Sequence, residues 1–156
     1  PAEIIVVDID DNRLNVAKTF GATHIINSKT TNAAEKIKEI TGQKGVDVAI
    51  EAVGIPETFE LCEVIIAPGG RIANVGVHGK SVSLHLEDLW SKNITITTRL
   101  VDTVTTPMLL KTVLSKKVQP SKLITHHFAL NDIVNAYDTF SNAEREKTLK
   151  VILTNE

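Results

Sequence analysis

Cys62 is the only cysteine in the sequence. A single thiol excludes an intrachain disulfide and any cysteine cluster for zinc, and it suits a reducing, cytoplasmic compartment. No apolar run reaches the ~18 residues a membrane-spanning helix needs, so no membrane partner is expected. The N-terminus lacks the charged-then-apolar order of a signal peptide. Charge is not concentrated either. The 17 Lys and Arg and the 19 Asp and Glu leave a net −2 and form no basic stripe, which argues against a nucleic-acid or polyanion partner. Internal repeats, low-complexity tracts and flexible linkers are also missing.

What is present is alternation. At 156 residues, 42% hydrophobic and 23% charged, the chain is long enough for one well-buried core. Ile4 to Val7 is a β-branched apolar run ending at Asp8, the pattern of a strand covered on both faces. Asp10 or Asp11 can cap a helix through Phe20, with Leu14, Ala17 and Phe20 on one face and Gly21 as its stop. His24 to Asn27 reads as a second strand. Asn32 and Glu35 have capping-box spacing, Ile37 and Ile40 share a face, and Gly42 ends that helix. Val46 to Val53 is the next strand. Pro56 suits a first helical turn, and this helix buries Phe59, Cys62 and Ile66 before stopping at Pro68-Gly69-Gly70.

Arg71 to Val77 and Ile94 to Thr98 are two more strands, with a short helical stretch at Glu87 to Trp90 between them. Met108 to Lys117 and Asn131 to Phe140 then read as helices, Leu123 to Phe128 as extended, and Leu149 to Leu153 as a strand. Strands alternating with helices of roughly ten residues imply right-handed crossovers, hence a doubly wound parallel α/β sheet with helices on both faces.

In such a sheet, ligands bind beyond the carboxyl ends of the strands. Asp8 sits at one such end. A carboxylate there accepts both ribose hydroxyls of adenosine and repels a 2′-phosphate. At 4 Å and an effective dielectric of ~20, each unit charge pair is worth about 4 kcal/mol, enough to choose NAD over NADP. Arg13, one helical turn on, reaches the same ribose. The other reading of Asp8 is a helix cap. Gly54 and Gly76, each just after a strand, let a ligand approach the backbone closely, or serve as plain turn glycines. The G-x-G-x-x-G fingerprint, which belongs about 20 residues before such an acid, is absent, and only seven residues precede Asp8. A strand, a glycine turn and a helix are therefore expected to be missing from the front of the pattern.

Other motifs carry less. Gly79-Lys80-Ser81 resembles the end of a phosphate-binding loop, but Asn74 stands where that loop needs glycine, and Ser81 to Leu86 alternates like a strand. His24, His78, His85, His126 and His127 lack the spacing of a helical metal pair and read as surface or core histidines. Adjacent His126 and His127 point to opposite faces of an extended segment. Cys62 lies on an apolar helix face, as a packed thiol does. No G-x-S-x-G nucleophile elbow occurs.

Four groups of residues then follow one another at a familiar spacing. They are Val6-Val7-Asp8; the stretch from Gly45 through Val46-Asp47-Val48-Ala49-Ile50-Glu51-Ala52-Val53 to Gly54; Pro68-Gly69-Gly70 leading to Val75-Gly76-Val77; and a tail of Leu123 to Phe128, Ala136-Tyr137 and Leu149 to Leu153. In that order they resemble the zinc-dependent, medium-chain alcohol dehydrogenase family over essentially the whole chain. The resemblance implies NAD as cofactor, an alcohol as substrate and hydride transfer as the reaction. It places Asp8 on the adenosine ribose, Ile9 against the adenine and Arg13 in support of the ribose. Ala52 and Val53 would line the adenine side of the cleft. Val75 and Val77 would flank the nicotinamide, with the Val75 carbonyl toward its carboxamide. The loop Thr97 to Arg99 would offer backbone partners to the same group, although Arg99 is bulkier than the small residues expected there. Lys150 would stand near the pyrophosphate. The family's catalytic zinc belongs to a separate, mostly N-terminal domain whose ligands have no counterpart in this chain.

The resemblance also implies a division: residues 1–104 as a partial NAD-binding Rossmann domain, and 105–156 as a helix and tail that would pack on the absent catalytic domain. A partial sheet lacking its central first strand leaves unpaired backbone and exposed apolar faces, so the chain alone is expected to be inactive and to rearrange, associate or belong to a larger protein. Leu149 to Leu153 is expected to be orphaned in the same way. The strand Ile94 to Thr98 carries no proline or charge, and its free edge invites a second copy, making a homo-oligomer. The alternatives are a standalone adenine-nucleotide or interaction module without catalysis, and a fragment of a zinc-free quinone reductase relative.

Overall fold

The computed structural model describes residues 2–100 and 103–155. They form two compact units, Pro1–Ile25 with Asp102–Glu156, and Ile26–Val101. The first begins with β1 (Ile5–Asp8) and α1 (Asp11–Thr19). Of the two candidate caps, Asp10 is the one used: its carboxylate accepts the Asn12 N–H at 2.7 Å. Leu14 is buried, but Phe20 is not part of that buried face; it follows the last helical turn and is exposed. The strand β2 (His24–Asn27) pairs with β1 in a two-stranded sheet.

The Ile26–Val101 unit contains α2 (Ala33–Ile40), β3 (Val46–Glu51), α3 (Pro56–Ile65), β4 (Ile66–Asn74), α4 (Leu86–Leu89) and β5 (Thr95–Thr98). The Asn32 side chain accepts the Glu35 N–H at 3.2 Å, half of the expected capping box. The sheet has the order β3-β4-β5 and is parallel throughout. α3 packs on β3 and β4, and α2 packs on α3. Ile37, Ala49, Cys62, Ile65, Ile66, Ile72 and Leu89 form its core. Burial raises the Cys62 thiol to about 11, helped by the negative charges of Glu51 and Glu63, so it is a packed group and not a nucleophile.

Three sequence expectations fail here. The helix from Pro56 ends at Ile65, and Pro68-Gly69-Gly70 lies inside a strand instead of ending a helix. Ile66 turns extended (φ −68°, ψ 131°). Ile65 and Ile66 are both buried because one closes the helix and the next enters the sheet, a switch that helical periodicity cannot register. The register jumps from Val46↔Ile66 to Val48↔Arg71, so residues 67–70 bulge out, with Gly69 at φ +77°. Second, Ser81 to His85 joins no sheet. The His85 N–H donates to Glu63 Oε1 instead, and α4 starts at Leu86. Third, β3 stops at Glu51 and β4 at Asn74, short of Val53 and Val77.

Polarity in β3 is inverted. Ala49 and Glu51 are buried, while Val48 and Ile50 are 53% and 65% exposed. Among the described residues β3 pairs only with β4 and β5 only with β4, so each keeps a free edge.

The first unit resumes with α5 (Thr106–Leu114), β6 (Ile124–Ala129), α6 (Ile133–Ser141), α7 (Ala143–Glu146) and β7 (Lys150–Thr154). The helix expected over Met108 to Lys117 is displaced toward the N-terminus, since Thr106-Pro107 opens it and Lys116 takes φ +60°. α5 buries none of its residues, and Met108, Leu109, Leu110 and Leu114 are each mostly exposed. The last strand is not orphaned. β7 pairs in parallel with β6, placing His127 opposite Ile152 and Phe128 opposite Leu153. His126 is half-buried and stacks on Phe128, whereas His127 is exposed, the alternation expected of an extended pair. No helix among the described residues is long and apolar enough to cross a membrane.

Outside the strand ends, one ion pair links α3 to the segment before α4. The buried Glu63 carboxylate lies 2.7 Å from His85 Nδ1. That hydrogen bond, opposed by desolvation and aided by the charges of Glu63, Glu87 and Glu60, holds the His85 pKa above its ordinary 6.5. A raised histidine pKa adds stability that is complete below pH 6.5 and is lost as pH climbs through the folded value. His85→Gln is therefore expected to lower the urea midpoint more at pH 5.5 than at pH 8.5; equal losses at both would contradict the pairing.

Candidate functional site

Two groups of the sequence-selected residues stand at strand ends, one in each unit. In the first, Asp8 ends β1. Its Oδ1 accepts the Ile9 N–H at 2.7 Å and the Asp10 N–H at 3.0 Å, and Arg13 Nη1 stands 3.8 Å away. Arg13 Nε also lies 3.8 Å from Asp10 Oδ2. Asp8 is thus oriented by the turn that follows it, while the capping role falls to Asp10. Ile9 is exposed beside it. Lys150 opens β7, with its carbonyl accepting from Thr125 Oγ1 at 3.3 Å, in a different sheet from Asp8.

In the Ile26–Val101 unit, the ends of β3 and β4 are locked backbone to backbone. The Glu51 carbonyl accepts the Val75 N–H at 2.7 Å and the Gly76 N–H at 3.1 Å. Gly54 sits at φ +89°, and a Cβ there would lie 2.3 Å from the Val77 carbonyl oxygen. A Cβ on Gly76 would lie 2.4 Å from the Gly54 nitrogen and 2.2 Å from Glu51 Oε2. Both glycines are required by close approach, not by the turn alone. Around this bare backbone Ala52, Val53, Val75 and Val77 are exposed, Val77 at 86%. At the end of β5, Thr97 and Arg99 are exposed, and Thr97 Oγ1 makes a long contact of 3.5 Å to the Ile72 carbonyl.

Beneath the valines lies a polar cluster that sequence reasoning missed. Glu51 is 1% exposed. Its Oε1 accepts the Val53 N–H at 2.8 Å, the Gly54 N–H at 2.8 Å and the Thr58 hydroxyl at 2.7 Å. Its Oε2 faces His78 Nε2 at 3.3 Å, and His78 Nε2 meets Asn74 Oδ1 at 2.8 Å. Burial pushes the Glu51 carboxyl up, but the Gly54 N–H, the Thr58 hydroxyl, the Val53 N–H and the His78 charge outweigh it and hold it below its ordinary value. The signal that could have found Glu51 is the one that selected Asp8, an acid closing a strand just before a turn. Nothing local marks Asn74, His78 or Thr58. Among the described residues, no three His, Cys, Asp or Glu side chains converge as a metal site.

Parallel strands joined by helices, with glycines and exposed apolar residues at the carboxyl strand ends, define an α/β domain of the dinucleotide-binding type. Residues 2–115 match the zinc-binding dehydrogenase family, and the chain belongs to that family. An alcohol dehydrogenase of Cupriavidus necator is 31% identical over 96% of this chain, which covers 42% of that protein. Among solved structures, the apo form of zinc dependent alcohol dehydrogenase 2 from Streptococcus pneumonia superposes with a TM-score of 0.94 at 52% identity, over 100% of this chain and 45% of that one. An alcohol dehydrogenase from E. coli CFT073, complexed with the cofactor NADH, gives a TM-score of 0.89 at 25% identity, over 97% of this chain and 44% of that one. The chain therefore spans about two fifths of the length of the curated relatives it matches.

Proposed function

We propose that this chain supplies much of the NAD site of an alcohol dehydrogenase, whose reaction passes hydride between an alcohol and the nicotinamide. The observation that carries this reading is the bare backbone approach of Gly54, Gly76 and Val77 ringed by exposed valines, a surface suited to a flat heteroaromatic ring. Asp8 takes the adenosine ribose hydroxyls with Arg13 behind it, and Ile9 covers the adenine. Ala52 and Val53 line the adenine side. Val75 and Val77 flank the nicotinamide, with Thr97 and Arg99 offering backbone partners, and Lys150 serves the pyrophosphate. NAD supplies the hydride acceptor; these residues bind and orient it. No three His, Cys, Asp or Glu side chains among the described residues converge as a zinc site, so none of them is assigned to activating the alcohol.

The division into a nucleotide-binding part, residues 1–104, and a docking tail, 105–156, is supported by the uncovered apolar side chains of α5. The free edge of β5 supports pairing with a second copy.

The test is calorimetric titration of NAD into the 156-residue chain, and into a chimera in which it replaces the matching stretch of the Streptococcus enzyme. The chain alone is expected to give no quantifiable heat, because it has no glycine fingerprint at a helix N-terminus for the pyrophosphate. The chimera is expected to bind NAD, and Asp8→Ala to weaken it about ten- to a hundredfold, as loss of hydrogen bonds to a charged acceptor does. Micromolar binding by the isolated chain, abolished by Asp8→Ala, would favour a self-sufficient nucleotide module instead.

A further inference from the structure

The Glu51 cluster bonds to the backbone of two of the residues assigned to the ligand, Val53 and Val75, and to that of Gly54 and Gly76 beside them. From Oε1 it holds the Val53 and Gly54 N–H groups, and from its carbonyl those of Val75 and Gly76. The second partner closes the loop from the other side. Asn74 Nδ2 donates to the Gly76 carbonyl at 3.1 Å, which leaves Asn74 Oδ1 facing His78 Nε2. His78 Nε2 therefore carries a proton and donates it to Asn74 Oδ1, with Glu51 Oε2 3.3 Å away and buried without a hydrogen-bond partner of its own among the described residues. His78 Nδ1 is buried with no hydrogen-bond partner among the described residues, so nothing there favours moving the proton across the ring. Phe59 meets the imidazole edge-on, with ring centroids 6.3 Å apart. His78 is the residue directly after Val77.

We propose that Glu51 and His78 are positioning residues. Glu51 locks the Val53–Gly54 turn to the Val75–His78 segment, and His78 sets the nicotinamide side alone by tethering the residue after Val77. The ligand half rests on the NAD reading above. A carboxylate is needed for a countable reason. Oε1 receives three donors, a crowding that a charged oxygen supports better than an amide carbonyl, and Oε2 places negative charge 3.3 Å from His78 Nε2 without a hydrogen bond. Glutamine keeps the size but presents an NH₂ to His78 Nε2–H, donor against donor.

Two measurements test this. In the 156-residue chain, amide hydrogen exchange followed by NMR compares Glu51→Gln with the unchanged protein. Exchange at Val53 and Gly54, whose N–H groups go to the side chain, is expected to accelerate about tenfold or more, while Val75 and Gly76, held by the main-chain carbonyl, and Ala49 and Ile72 in the sheet keep their protection. Uniform acceleration across the sheet, or none, overturns the lock. In the chimera, NAD is compared with ADP-ribose, which lacks the nicotinamide. His78→Asn is expected to weaken NAD about tenfold, one hydrogen bond's worth, and leave ADP-ribose unchanged, whereas Glu51→Gln weakens both. Equal weakening of both ligands by His78→Asn overturns the assignment of His78 to the nicotinamide side. If the unchanged chimera binds neither ligand, the NAD reading and the ligand half of the proposal fall together, and the exchange data alone decide the lock.

Discussion

Gly54→Ala is expected to destabilise the Ile26–Val101 unit by about 3 kcal/mol or more, from left-handed backbone strain plus a methyl forced into backbone. The clash is with a carbonyl that cannot rotate away: the new Cβ would stand 2.3 Å from the Val77 oxygen and 2.7 Å from its carbonyl carbon. Moving Val77 would break the two bonds that the Glu51 carbonyl makes to Val75 and Gly76. Gly42 provides the control. It lies in the same unit at φ +57°, with nothing within 4 Å of where a Cβ would stand, so Gly42→Ala carries only the conformational term, about 1 to 2 kcal/mol. Urea midpoints of the two variants measure the difference. Equal losses would mean that Gly54 serves its turn only, and that the strand ends are not in the contact described.

Glu51→Ala is expected to cost about 3 kcal/mol or more at neutral pH, as taking a charged acceptor from several donors does. Two backbone N–H groups and the Thr58 hydroxyl would lose their acceptor, and the His78 ring the carboxylate beside it. The pH dependence identifies the cause. Because the folded carboxyl is held below its ordinary 4.5, its contribution is complete above that value and is lost as pH falls through the folded pKa. Urea midpoints at pH 7 and pH 3.5 should therefore fall further apart for the unchanged protein than for Glu51→Ala. Parallel lines would show that the carboxylate is not what the network depends on. Thr58→Val, which removes a single donor, is the mild companion, about 1 kcal/mol.

These expectations show where the sequence was readable. Asp8, Ile9 and Arg13 lie within six residues of one another, and the bonds that orient them are local: Asp8 to the next two N–H groups, Asp10 to Asn12. The same holds for Asn32 and the Glu35 N–H. Gly54 and Gly76 could be picked out as glycines after strands, but not as neighbours. That they touch follows from two crossovers that bring the ends of β3 and β4 side by side. His78 read as an ordinary histidine because its partners, Glu51 and Asn74, come to it from the end of one strand and the end of another.

By itself, the sequence determined the class of fold, through apolar runs and caps that alternate at strand and helix spacing. It also carried the ordered strand-end residues that mark the family. Only the tertiary structure decided where the strands stop, that Pro68-Gly69-Gly70 bulges within one of them, that β6 and β7 pair, and that Glu51 faces inward while Val48 and Ile50 face out. The physical reason is range. Periodicity and capping are set by neighbours within a turn or two, whereas the face on which Glu51 is buried and its approach to His78 follow from strand pairing that joins residues more than twenty positions apart.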